Sequence, residues 1–247
     1  MDPSADVRAL RLPFDAYKRT EADIERIQRA ADVLVGRCLE EQGYRPRPAR
    51  PAVAMVEAPN RRRYGVMEPE VAARAGYRAP RTSAETERDR ADRERGGYRN
   101  AMERTAGHRC LQAAMDRLHV TGVDSPVLAR LEREIFEQTR TKDAGVASAL
   151  TAWRSCMRVR GQKEYADPLA AAADERWKDP GAAKAETAAA AADVACKKET
   201  GLVEVWRRAE DRLQSAALQQ HAADFAQVGQ ALEKERAEAS RLVRSGA

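Results

Sequence analysis

Apolar positions recur along this chain at intervals of three and four residues, the period of helices that bury one face. After an N-terminal arm anchored by Pro13-Phe14-Asp15-Ala16-Tyr17, Thr20 and Asp23 mark a helix start, and Ile24, Ile27, Ala31, Leu34, Val35 and Cys38 form one stripe ending at Gly43. The pattern then lapses over residues 44–100. Six of the eleven prolines, at 46, 48, 51, 59, 69 and 80, fall in its first part. They predict an extended crossover relieved by a short helix over Pro69–Ala75 that Gly76 stops. In Ser83–Arg95, nine of thirteen side chains are charged and none is large and apolar, which predicts a solvated helix or a mobile loop.

Helical spacing returns over residues 108–118, where Leu111, Met115 and Leu118 share a face, and again after Ser125-Pro126, with Val127, Leu128, Leu131, Ile135 and Phe136. The cleanest seam is Val146, Leu150, Trp153 and Met157, closed by Gly161. Asp167-Pro168 opens a short helix reaching Trp177, and Asp179-Pro180 interrupts it before the alanine-rich stretch 182–200. From Leu202, the positions Val205, Trp206, Leu213, Leu218, Phe225, Val228, Leu232 and Leu242 predict one C-terminal helix over 202–244. Unbroken, it would run about 60 Å, with Gly229 as its bending point. The expected fold is all-α: a single domain over 1–247, a helical bundle with a long proline-rich crossover loop, an irregular 44–100 region and a long C-terminal helix.

Composition agrees with this reading. Hydrophobic residues make up 43% of the chain, enough for a core, but much of that is alanine and only 5% is aromatic, so the core must come from close helix contacts. Trp153, Trp177 and Trp206 sit on amphipathic faces beside cysteine-bearing helices and are read as core. The net charge of +5 is spread through interleaved charges of both signs, which describes solvated helix faces and excludes a nucleic-acid-binding stripe. The one local basic cluster is Arg61-Arg62-Arg63, followed by Tyr64. With Tyr77 from the same crossover, Arg62, Arg63 and Tyr64 form the candidate binding surface, because irregular segments carry function more often than cores do. No run of residues is apolar enough to span a bilayer, so no transmembrane segment is expected. A long C-terminal helix could pair with a copy of itself, making a homo-oligomer.

Four cysteines remain. Cys38, Cys156 and Cys196 each stand five residues before a glycine, at Gly43, Gly161 and Gly201, about one turn before a helix end. Their nearest spacing, 196 − 156 = 40 residues, does not suit a thiolate metal site, so an even set on helix ends reads as two disulfides. Of three connectivities, the expected one is sequence-nearest: Cys38–Cys110 with Cys156–Cys196. His108, His119 and His221 have no partner at catalytic spacing, no Gly-x-Ser-x-Gly elbow or phosphate-binding glycine loop occurs, and carboxylates alternate with Lys and Arg. No catalytic residue, cofactor or metal is assigned, and the chain is read as a non-enzyme. Met1-Asp2-Pro3-Ser4-Ala5-Asp6 is not a secretory leader, whereas stable disulfides belong outside the cytoplasm. The expectation that reconciles the two is an exported mature chain whose leader is absent.

Leu12-Pro13-Phe14-Asp15-Ala16-Tyr17, Cys38-Leu39 with Gly43-Tyr44, Arg62-Arg63-Tyr64-Gly65, Trp153-Arg154-Ser155-Cys156-Met157 with Gly161, and Cys196-Lys197 with Gly201-Leu202-Val203 and Trp206 follow in that order. Together they resemble a group of uncharacterised secreted or lipoprotein-type helical proteins of high-GC actinobacteria. The resemblance implies export and oxidised cysteines, and it implies no activity. The functional expectation is a non-enzymatic secreted or cell-envelope helical protein acting as a binding module toward an unknown protein or envelope component. The alternative is a cell-wall-acting hydrolase whose catalytic acids are hidden among the surface charges.

Overall fold

The computed structural model describes residues 1–45, 58–120 and 125–245. Among these described residues lie eleven α-helices and no strand: α1 (Ala5–Ala9), α2 (Glu21–Glu41), α3 (Pro69–Ala75), α4 (Ser83–Arg95), α5 (Ala101–Arg117), α6 (Pro126–Lys142), α7 (Ala144–Val159), α8 (Pro168–Ala172), α9 (Ala183–Thr200), α10 (Leu202–Gln220) and α11 (Ala222–Ser245). The all-α class and both sequence-nearest disulfides are present. Pro46, Pro48 and Pro51 of the expected crossover lie outside the described residues. The helices gather into two compact units. The first takes Met1–Asp15, Ala58–Thr82 and Arg130–Gln220; the second takes Ala16–Glu57, Ser83–Ala129 and His221–Ala247.

In the first unit, α9 is the central element and packs against α3, α7, α8 and α10. Its alanines explain that position: with almost no side chain beyond Cβ, they let neighbours approach from several sides. Ala190 meets Val66, Val71 and Ala72 on one side, while Ala192 and Cys196 join Val146, Leu150, Trp153, Met157, Leu202 and Trp206 on another. Asp143 starts α7 by accepting the Val146 amide at 3.0 Å. Gly201, in the left-handed region at φ 63°, ends α9. The Cys156–Cys196 bridge then ties the last turns of α7 and α9 together.

The second unit is built on α2, with α5 and α11 packed along it. Ile27, Ala30, Ala31, Ala114, Leu118, Ala239 and Leu242 fill their interface, and Cys38–Cys110 joins the end of α2 to α5. Thr20 and Asp23 form a reciprocal capping box, with Thr20 Oγ1 accepting the Asp23 amide at 3.2 Å and Asp23 accepting the Thr20 amide at 3.0 Å. Helix α4 is one of the two forms expected of its charged stretch. Its last residue, Arg95, reaches Asp32 of α2 at 2.9 Å in a largely enclosed ion pair.

Asp23 also receives Arg236 of α11 at 2.9 Å. Burial opposes its charge, but the Arg236 hydrogen bond and the Thr20 cap outweigh burial and hold the carboxyl below its ordinary value. A lowered native pKa stabilises the fold above the unfolded value near 4 and loses that contribution as pH falls through the native value. Asp23→Ala should therefore destabilise by about 2 kcal/mol at pH 7. Denaturant titrations at descending pH should show the ionic part of that difference disappearing below about pH 4.

Two expected boundaries are corrected. The C-terminal helix is two helices, broken at His221 and continuous through Gly229. A helical glycine only weakens a helix by about 1 kcal/mol, whereas His221 supplies a new start, its carbonyl accepting the Phe225 amide and its ring lying 3.4 Å from Asp224. A Cβ on Gly229 would meet nothing within 4 Å, so Gly229→Ala should raise stability by about 0.5–1 kcal/mol in thermal unfolding. Helix α5 begins at Ala101, seven residues before the expected start. Asn100 caps it through the Glu103 amide at 2.9 Å, and buried Glu103 returns a bond to the Arg99 amide at 2.8 Å. Besides Glu103, Ala106 and Gly107 are its buried residues there, and Met102 is exposed, so no apolar stripe announces the turn.

Candidate functional site

The candidate surface of Arg62, Arg63, Tyr64 and Tyr77 lies in the first unit, and residues 60–66 run as a strap fastened residue by residue. Asn60 donates to the Leu10 carbonyl at 3.2 Å and to Asp15 at 2.7 Å. Arg61 clamps Glu68 at 2.7 Å and reaches the Met1 carbonyl at 3.0 Å. Arg63 donates to Glu210 at 2.7 Å and to Glu132 at 2.6 Å, with its guanidinium 5.3 Å from the centre of the Phe136 ring. Burial works against its charge, but the Glu210 hydrogen bond and the two carboxylates override that and hold its pKa above the ordinary arginine value.

Tyr64 does not belong to a surface. Its side chain is wholly enclosed, with its ring 5.4 Å from Trp206, which in turn stacks on Phe136 at 5.3 Å and donates its indole N–H to Thr139 at 3.0 Å. Burial first, and the charge of Glu210 second, push its phenol well above the usual range. An aromatic side chain beside a chain of arginines reads from sequence as exposed. Here Arg63 is neutralised by internal acids, so the segment can turn inward and bury the ring.

The next two residues complete the strap. Gly65 has φ +80°, and a Cβ there would stand 2.9 Å from Lys197 Nζ, so both its backbone and its lack of a side chain are used. The Val66 carbonyl accepts Lys197 Nζ at 2.8 Å. Lys197 also donates to Asp193 at 2.9 Å, and Asp193 accepts the Trp153 indole N–H at 2.9 Å. Both members of this ion pair are sealed from solvent. Burial pushes the Asp193 carboxyl up and the Lys197 amine down, each opposed by its partner.

Tyr77 and Arg62 remain nearer the exterior. The Tyr77 amide donates to buried Glu186 at 3.0 Å and its ring lies 6.0 Å from Trp177; burial raises its phenol strongly. Arg78 bridges Glu186 and the Trp177 carbonyl at 3.2 and 3.1 Å. Arg62 donates to the neutral Arg78 carbonyl. Burial and the neighbouring Arg61 depress its pKa, and only the charge of Glu68, already bound by Arg61, works the other way. Among the described residues, Arg62 is thus a half-buried cation whose side-chain hydrogen bond goes to a neutral carbonyl and not to a carboxylate.

Asp193, Lys197, Glu186 and Glu210 were missed by reading the sequence for motifs. One signal was available: 186, 193 and 197 fall at intervals of seven and four within an alanine run, a polar stripe on one face of a helix that is otherwise small and apolar. Glu210 had none, since its partner Arg63 is 147 residues away. No helix among the described residues is long and apolar enough to cross a membrane. In comparison with known proteins, no family model, no curated protein and no solved structure matches this chain.

Proposed function

We propose that this chain is a disulfide-stapled helical binding module of the cell envelope or extracellular space, contacting an anionic partner around Arg62. Arg62 carries the reading: among the described residues its guanidinium is half-buried and donates to a neutral carbonyl, so a carboxylate or phosphate on a partner would supply the opposite charge. The two bridges support the compartment, because disulfides persist where the surroundings are oxidising. The buried acids support a scaffold role, since Glu210, Asp193, Glu186 and Glu68 are each bonded to a named internal partner.

One observation favours the hydrolase alternative. Glu210 and Glu132 converge on Arg63, and burial pushes the Glu210 carboxyl up against the pull of that guanidinium, the direction a general acid needs. Cosedimentation of the disulfide-intact protein with isolated wall and membrane fractions separates the readings. Saturable binding that Arg62→Glu weakens by about tenfold, roughly one interfacial charge contact, is the expected result. Equal binding by the variant removes Arg62 from the surface. Release of soluble wall fragments that Glu210→Gln abolishes would replace binding with hydrolysis.

A further inference from the structure

The second unit contains a groove of about 390 Å³ lined by both cysteines of its bridge together with Leu34, Arg37, Glu41 and Arg117. Cys38 is half-buried there and Cys110 is buried behind it. At the end of α2 the Gln42 side-chain amide donates to Cys110 Sγ at 3.2 Å, and it lies 3.3 Å from Cys38 Sγ and 3.1 Å from the Cys38 carbonyl. A donor resting on both sulfurs of a disulfide stabilises whichever one leaves as thiolate, and a better leaving thiolate speeds exchange.

The other bridge is arranged differently. Cys156 is half-buried, with Arg160 Nε donating to its sulfur at 3.4 Å. Both leaving sulfurs are enclosed, Cys110 beside Leu39 and Ala106 and Cys196 in the cluster of Trp153, Met157, Leu202 and Trp206, but among the described residues the Gln42 side-chain amide reaches Cys110 and no such donor reaches Cys196. An attack on accessible Cys156 would expel a thiolate into that apolar core, where its charge is unfavourable and its pKa high.

We infer that Cys38–Cys110 is a thiol–disulfide exchange site, opened at Cys38 by a dithiol reductant while Cys156–Cys196 stays closed. The reductant's thiolate forms a bond to Cys38 Sγ; the Cys38–Cys110 bond breaks, and its electron pair leaves on Cys110 Sγ, held by the Gln42 N–H until solvent protonates it. The second thiol of the reductant then displaces Cys38 from the mixed disulfide. Two electrons and two protons pass to the cysteines, and the reductant becomes a disulfide. Opening removes the covalent tie between the end of α2 and α5. This inference stands apart from the binding role, since it needs only the bridge, the groove and Gln42.

The test is a time course of the folded, full-length protein in limiting dithiothreitol, quenched by acid, alkylated and mapped by peptide mass. Cys38 and Cys110 should become labelled about tenfold faster than Cys156 and Cys196. Gln42→Glu, which replaces the donor with a negative charge beside both sulfurs, should slow that opening about fivefold and leave the other bridge unchanged. If Gln42 merely tied down the helix end, the same substitution would loosen it and speed opening. Equal rates for the two bridges, prior opening of Cys156–Cys196, or an unchanged or faster Gln42→Glu variant would each overturn the inference.

Discussion

Lys197→Ala should destabilise the first unit by about 3–5 kcal/mol, the scale seen when one member of a buried ion pair is removed. Asp193 would be left in a dry core with only the Trp153 indole as partner, and the Val66 carbonyl would lose its donor. The deficit should be pH-dependent with a defined sign. Burial already pushes the Asp193 carboxyl up, and without the ammonium the Trp153 hydrogen bond is left to oppose that push. A carboxyl whose folded pKa exceeds its unfolded one favours the folded state as it protonates, so the variant should recover stability as pH falls toward the unfolded value near 4. The paired replacement Lys197→Met with Asp193→Leu should cost far less than either single change, because no buried charge is left alone. Guanidinium denaturation of Lys197→Ala, of Lys197→Met and Asp193→Leu singly, and of the double variant reads the result. A single variant within about 1 kcal/mol of the parent would mean that water reaches the pair.

The second large effect belongs to the covalent brace. Replacing both Cys156 and Cys196 with alanine removes a crosslink spanning 40 residues, worth about 4 kcal/mol in the chain-entropy description. The loss should fall mainly in the free energy of the denatured chain, so the native positions of α7 and α9 should persist at low denaturant while the unfolding midpoint drops. Amide exchange along α9 resolves this, since its backbone bonds should remain protected but open more often. Unchanged exchange together with an unchanged midpoint would show that the bridge contributes little beyond what Trp153, Trp206 and Met157 already secure by burial.

What could be read from the residues and what could not divide along physical lines. Local signals were legible: the Thr20–Asp23 capping box, the Pro69–Ala75 helix stopped by Gly76, the Val146–Met157 seam, and the glycines after Cys156 and Cys196 all depend on contacts within a turn or two. The sequence-nearest cysteine pairing also holds, because each pair sits on helices that pack together. Long-range electrostatics were not legible. Arg63 looked like part of a surface because its partners, Glu132 and Glu210, are remote in the chain, and Tyr64 went inward with it. Helix α9 concealed its centrality behind alanines, which give little amphipathic contrast even when buried on several sides. His221 broke a helix without glycine or proline, and Gly229 failed to break one. Of the four residues read as a candidate surface, Arg63, Tyr64 and Tyr77 are bonded or packed within the first unit, and the proposed contact rests on Arg62 alone.

The proposed export of a protein braced by crosslinks is tested most directly by trapping thiols with an alkylating agent at the moment the source cells are opened, then counting labelled cysteines under denaturing, non-reducing conditions. All four of Cys38, Cys110, Cys156 and Cys196 should be unlabelled, and they should become reactive only after a reductant is added. Four labelled cysteines in the freshly trapped protein would contradict both the crosslinked architecture and the compartment.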